Sequence, residues 1–128
     1  WVDAFYKNTS FPVDYRHIPT AVFSHPEAAS IGFTEKEALE KFKKVQSKIL
    51  TFNPLTLALT NASKEPVFMK LIFEGDNETV IGIHIVADAA AEMIQSLAVA
   101  VQKGITKADL DLTMALHPSL TEELVTLY

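Results

Sequence analysis

The sequence has 128 residues, 48% of them apolar, and a net charge of −5, enough chain for one globular domain with one core. Eleven Lys and Arg face sixteen Asp and Glu, and no basic run exceeds two residues, so a surface that neutralises nucleic-acid phosphates is not expected. The chain has no cysteine, which removes disulfides, thiolate nucleophiles and cysteine-based metal clusters. The most apolar windows, residues 80–91 and 93–101, are broken by polar side chains and do not resemble a membrane span. No secretory leader opens the chain, so a soluble, cytoplasmic protein is expected. Trp1 stands where an initiator Met would be, and the sequence reads as a piece of something longer.

Residues 1–17 carry aromatics without a sustained period and are broken by Pro12, which reads as the end of a preceding domain and an extended linker. Residues 20–24 are apolar and β-prone; His25-Pro26-Glu27 then marks a turn before a second short strand around Ser30. Thr34 and Glu37 have the spacing of a capping box, in which hydroxyl and carboxylate satisfy orphan amides at a helix start, and a helix to about Lys44 follows. Residues 45–52 alternate loosely as a strand that ends at Asn53-Pro54. Val67, Met69, Leu71 and Phe73 share one face of the next strand, while the other face is half apolar. Gly75-Asp76-Asn77 turns the chain into a strand over residues 79–86, giving an antiparallel hairpin.

Asp88 is placed to cap a helix in which Ala90, Ile94, Leu97, Ala98 and Val101 recur at helical spacing until Lys103-Gly104 closes it. Val99 and Ala100 make that helix apolar on its far side too, as expected of a helix covered twice. Thr106 begins a short helix, and Ser119 with Glu122 gives a last capping box for a helix running to the chain end. Strands first and helices bunched late predict an α+β fold, an antiparallel sheet of four to five strands with helices packed on it.

His117 is the sharpest chemical position: it precedes Pro118 at the mouth of a helix whose first turn holds Glu122 and Glu123. A carboxylate that accepts one imidazole N–H fixes the tautomer and prepares the other nitrogen for proton transfer. Spacing alone leaves a plainer alternative open, a loop end with two glutamates favouring the helix dipole. His25 and His84 read as structural, and His17 lies in the linker with no partner apparent from sequence. The four histidines lack the spacing of metal ligands, so no metal is expected. Dinucleotide-binding glycine fingerprints, P-loops, serine-nucleophile elbows and zinc-binding helices find no match.

Residues 18–38 (IPTAVFSHPEAASIGFTEKEA), 67–73 (VFMKLIF), 80–110 (VIGIHIVADAAAEMIQSLAVAVQKGITKADL) and 117–128 (HPSLTEELVTLY) resemble, in this order, the C-terminal dimerisation (interface) domain of the pyridine nucleotide–disulfide oxidoreductases. The ending is most similar to that of the glutathione reductases. The resemblance implies a homodimer binding FAD and NADPH, with the redox disulfide on another domain and this domain's histidine lent to the partner subunit. Position by position, it makes His117 the catalytic acid–base at the charge-transfer thiolate and the leaving glutathione thiol, with Glu122 orienting it. It places Glu123, Thr126, Phe52 and Leu55 near the disulfide substrate and brings the His117-Pro118 loop to the partner's flavin. Leu55 departs from the methionine expected there. The chain by itself is expected to bind neither cofactor and to be inactive. A dihydrolipoamide dehydrogenase or another disulfide reductase is the alternative within the family, and a stand-alone dimerisation module the alternative outside catalysis.

Overall fold

The computed structural model describes residues 2–9, 15–54 and 66–127. Strands β1 (Thr20–Val22), β2 (Glu27–Gly32), β3 (Val45–Phe52), β4 (Val67–Glu74) and β5 (Thr79–Ala87) form one antiparallel sheet in the order β1-β2-β5-β4-β3. Among the described residues five α-helices accompany it: α1 (Val2–Lys7), α2 (Glu35–Lys41), α3 (Ala90–Gln102), α4 (Lys107–Leu112) and α5 (Glu122–Val125). The chain thus adopts the α+β class and sheet size expected from its sequence. Tyr15–His17, inside the expected linker, form a 3₁₀ turn packed against β2 and α3, and His17 has a partner.

The β4–β5 hairpin is the centre of the core. Alternation along β4 buries Val67, Met69, Leu71 and Phe73 on one face, and the register sets Met69 beside Ile85 and Leu71 beside Ile83. Ile94, Ala98 and Val101 of α3 close over this face at helical spacing. Burying each large aliphatic side chain stabilises the fold by roughly 1.5–3 kcal/mol, so this one layer outweighs any local helix preference. Val99, on the outward side of α3, is exposed.

The opposite face carries α2. Thr34 and Glu37 form the expected capping box, with the Thr34 N–H donating to the Glu37 carboxylate at 2.9 Å and the Glu37 N–H donating to the Thr34 hydroxyl at 3.3 Å. The helix stops at Lys41 rather than Lys44, because Phe42 turns extended and packs with Phe33 on a small second core of Ala38, Ile72 and Ile81. Beside it, Lys70 Nζ lies 2.5 Å from Glu35 and the Ser47 hydroxyl donates to Glu35 at 2.7 Å. Lys70 first, and then Ser47, hold the Glu35 carboxyl below its usual range.

Two glycines let β2 and β5 approach here. Gly32 and Gly82 are register partners, and Gly32 takes a φ of +78°. A Cβ on Gly82 would stand 2.2 Å from the Phe33 carbonyl oxygen, and one on Gly32 2.1 Å from that of Ile81, so neither position admits a side chain without moving backbone.

Two local expectations are corrected. Strand β2 begins at Glu27, not near Ser30, because residues 27–29 pair with Ala87, Val86 and Ile85 of β5. Asp88 does not cap α3: Ala89, in the left-handed region, precedes the helix without a side-chain cap. The Glu27 carboxylate, brought over from β2, accepts the Ala91 N–H at 3.0 Å instead.

Candidate functional site

The chain leaves α4 at Leu112, passes through exposed Leu112, Met114 and Leu116, and reaches His117. Helix α5 has only four residues, too few to persist through its own hydrogen bonds. It holds its place because Leu124 and Leu127, each about 98% buried or more, join the core laid down by β4, β5 and α3. The helix is shorter than the expected run from Ser119 to the chain end: Thr121 precedes it without a side-chain cap, and both the Thr126 N–H and the Thr126 hydroxyl turn back onto the Glu122 carbonyl.

Within that frame the His–Glu pair is formed. His117 Nδ1 donates to the Glu122 carboxylate, 3.0 Å from one oxygen and 3.2 Å from the other. The exposures are unequal: the Glu122 side chain is 13% exposed and the His117 side chain 74%. A carboxylate held within the fold therefore fixes an imidazole that stands out from it. With Nδ1 engaged, Nε2 is left for an external group, the arrangement that lets a histidine accept or deliver a proton at a defined atom. Ser119 and Glu122 also bond reciprocally. The Ser119 N–H donates to the carboxylate at 3.4 Å, and the Glu122 N–H donates to the Ser119 hydroxyl at 3.2 Å.

The remaining candidates spread unevenly around this pair. Pro118 is exposed beside His117, Glu123 is half-buried on α5, and Thr126 lies exposed just after it. Phe52 ends β3 in register with Val67 and packs on the same main core as Leu124 and Leu127, so the core links it to α5. Leu55 lies outside the described residues. Of the other histidines, the His84 Nε2–H donates to the Phe33 carbonyl at 3.1 Å, and exposed His25 lies 3.8 Å from exposed Asp88. Among the described residues no three His, Asp or Glu side chains converge as metal ligands, and no helix is long and apolar enough to cross a membrane.

The four glycines bear on whether this chain could cradle a dinucleotide. Gly32 and Gly82 are taken up by the β2–β5 approach, Gly75 by the hairpin turn and Gly104 by the end of α3, where each has a positive φ. None opens a phosphate-binding turn at the start of a helix, so a flavin or nicotinamide nucleotide does not fit this chain as a principal binding site.

Fold and pair together define a class: an α+β domain with an antiparallel sheet in which a carboxylate on a short helix, α5, orients an outward-facing histidine in the loop before it. Residues 18–128 match the model of the pyridine nucleotide-disulphide oxidoreductase dimerisation domain, and the chain belongs to that family. It is 40% identical over 127 residues to a glutathione reductase of Burkholderia cepacia, covering 99% of this chain and 28% of that protein. A glutathione reductase of Debaryomyces hansenii is 44% identical over 119 residues, covering 90% of this chain and 24% of that protein. The solved structure of LpdA from Mycobacterium tuberculosis superposes with a TM-score of 0.80 at 26% identity, over 98% of this chain and 28% of that one. The chain thus spans about a quarter of the length of the curated relatives it matches.

Proposed function

We propose that this domain serves a homodimeric, glutathione-reductase-like flavoenzyme by lending His117 and Glu122 to a redox disulfide on the partner subunit. The observation that carries the reading is the bond from His117 Nδ1 to the largely buried Glu122 carboxylate beneath an exposed imidazole. The names and identity levels of the relatives support glutathione disulfide as the substrate, and membership of the pyridine nucleotide-disulphide oxidoreductase family supports NADPH with FAD as the cofactors. Exposed Leu112, Met114 and Leu116, directly before His117, support a partner surface against this loop.

In this reading the cofactors are held by other parts of the longer protein, and together they supply the reducing equivalents that keep the redox pair as dithiol. This chain's residues handle the proton. One thiol of the pair, as thiolate, attacks a sulfur of glutathione disulfide, the S–S bond breaks, and His117 Nε2 delivers a proton to the leaving glutathione thiolate. The second thiol then displaces the other glutathione, its proton passing through the same imidazole while the pair closes to a disulfide. Glu122 keeps Nδ1 engaged throughout, so the exchange stays at Nε2. Glu123, Thr126, Phe52 and Leu55 border the disulfide substrate, and the His117-Pro118 loop approaches the partner's flavin.

Replacing His117 by Ala in the full-length protein tests this. Loss of a positioned acid–base lowers turnover by about 10²–10⁴-fold, and steady-state reduction of glutathione disulfide by NADPH reads it. Turnover within twofold of the parent would refute the assignment. Running the same proteins with dihydrolipoamide and NAD⁺ separates this reading from the dihydrolipoamide dehydrogenase alternative.

A further inference from the structure

We propose that Ser119 is a positioning residue for His117, acting through Glu122; the inference rests on the acid–base reading above. An ordinary helix cap sits directly before the first helical turn, yet Thr121, at that position before α5, makes no side-chain cap bond. The capping contacts lie two residues earlier instead. The Ser119 hydroxyl accepts the Glu122 N–H at 3.2 Å, and the Ser119 N–H reaches a Glu122 carboxylate oxygen at 3.4 Å. That oxygen is the one that accepts His117 Nδ1–H at 3.0 Å.

Ser119 therefore grips Glu122 at both its backbone and its carboxylate. A glutamate side chain has three rotatable bonds and, left alone, samples many carboxylate positions. Here the reciprocal bonds close a ring between positions 119 and 122 and select the rotamer that meets the imidazole. Ser119 is half-buried and Glu122 only 13% exposed, so water competes weakly for these bonds. Ser119 also follows Pro118 directly, and the same contact anchors the loop that carries the histidine.

Two readouts test this. In the 128-residue chain, 15N spectroscopy of the imidazole reads the neutral tautomer. The parent is expected to hold the Nδ1–H form, and Ser119→Ala to mix in the Nε2–H form. In the full-length protein, Ser119→Ala is expected to lower kcat for glutathione disulfide about three- to tenfold with KM unchanged, a loss the size of a helix-capping contact. Ser119→Thr, which keeps the hydroxyl, is expected to restore both. A parental tautomer and kcat in Ser119→Ala, or equal losses in Ser119→Ala and Ser119→Thr, would overturn the inference. Parental turnover in His117→Ala would instead remove the acid–base reading, and the tautomer measurement would still decide whether Ser119 sets the ring.

Discussion

Leu124 is the residue on which the placement of the site depends most, and its truncation gives the sharpest structural prediction. It is 2% exposed and packs with Leu127 and Leu110 into the main core, while α5 around it has only four residues. Leu124→Ala removes three buried carbons and leaves a void, a change that destabilises by about 2–5 kcal/mol. A domain of this size is stable by about 5–15 kcal/mol, so the loss is a large fraction of the total. At roughly 3–6 °C per kcal/mol, the expected fall in Tm is about 6–30 °C. Leu112→Ala, at a side chain 86% exposed, is the control and should change stability by no more than about 0.5 kcal/mol. Circular dichroism melts of the two variants test the magnitude. Amide hydrogen exchange tests the location, because the Leu124 and Thr126 N–H groups bond to the Thr121 and Glu122 carbonyls and should lose protection first. A Tm within about 2 °C of the parent, with parental protection at these amides, would show that Leu124 does not seat α5.

Two further outcomes follow from contacts elsewhere. Glu27→Ala removes the carboxylate that accepts the Ala91 N–H and should lower stability by about 0.5–2 kcal/mol in denaturant titrations, whereas Asp88→Ala should leave it unchanged; the reverse order would restore Asp88 as the cap. Acid should weaken the fold through Glu35, Glu37, Asp76 and Asp109, whose carboxyls are lowered chiefly by bonds from Lys70, Thr34, Lys44 and Thr106 respectively. Because the folded values are the lower ones, the unfolded chain takes up protons first as pH falls. Their contribution is complete above the ordinary carboxylate range near about 4 and is lost below it. Denaturant midpoints at pH 7, 5 and 3 should therefore fall most steeply at the acid end, less so in a Glu37→Gln, Asp109→Asn double variant, and an equal slope in that variant would contradict the assignment.

What sequence could and could not reveal follows the span of each contact. Thr34 with Glu37 and His117 with Glu122 are three and five residues apart, and both pairs form as spacing indicates. The alternation of β4 was equally legible, since period two leaves one face for the core. The errors lie where a distant partner overrides a local signal. Glu27 reaches α3 across 64 residues, so Asp88, beside the helix, was the natural choice from sequence and the wrong one. Pairing with β5 draws residues 27–29 into a strand although a His-Pro turn precedes them. The shortness of α5 was hidden for a related reason: nothing in residues 119–128 encodes where Leu124 and Leu127 must reach the core.

The bonds that build the His–Glu pair join residues no more than five apart, yet their seat in the core comes from Leu124 and Leu127 a few positions further on. One short stretch of sequence thus carries both the oriented imidazole and its anchor, while β4, β5 and α3 supply the apolar socket that receives the anchor. The geometry of the pair therefore depends on the fit of two leucines in that socket, so a change in the volume of the socket would move the imidazole without touching any residue bonded to it.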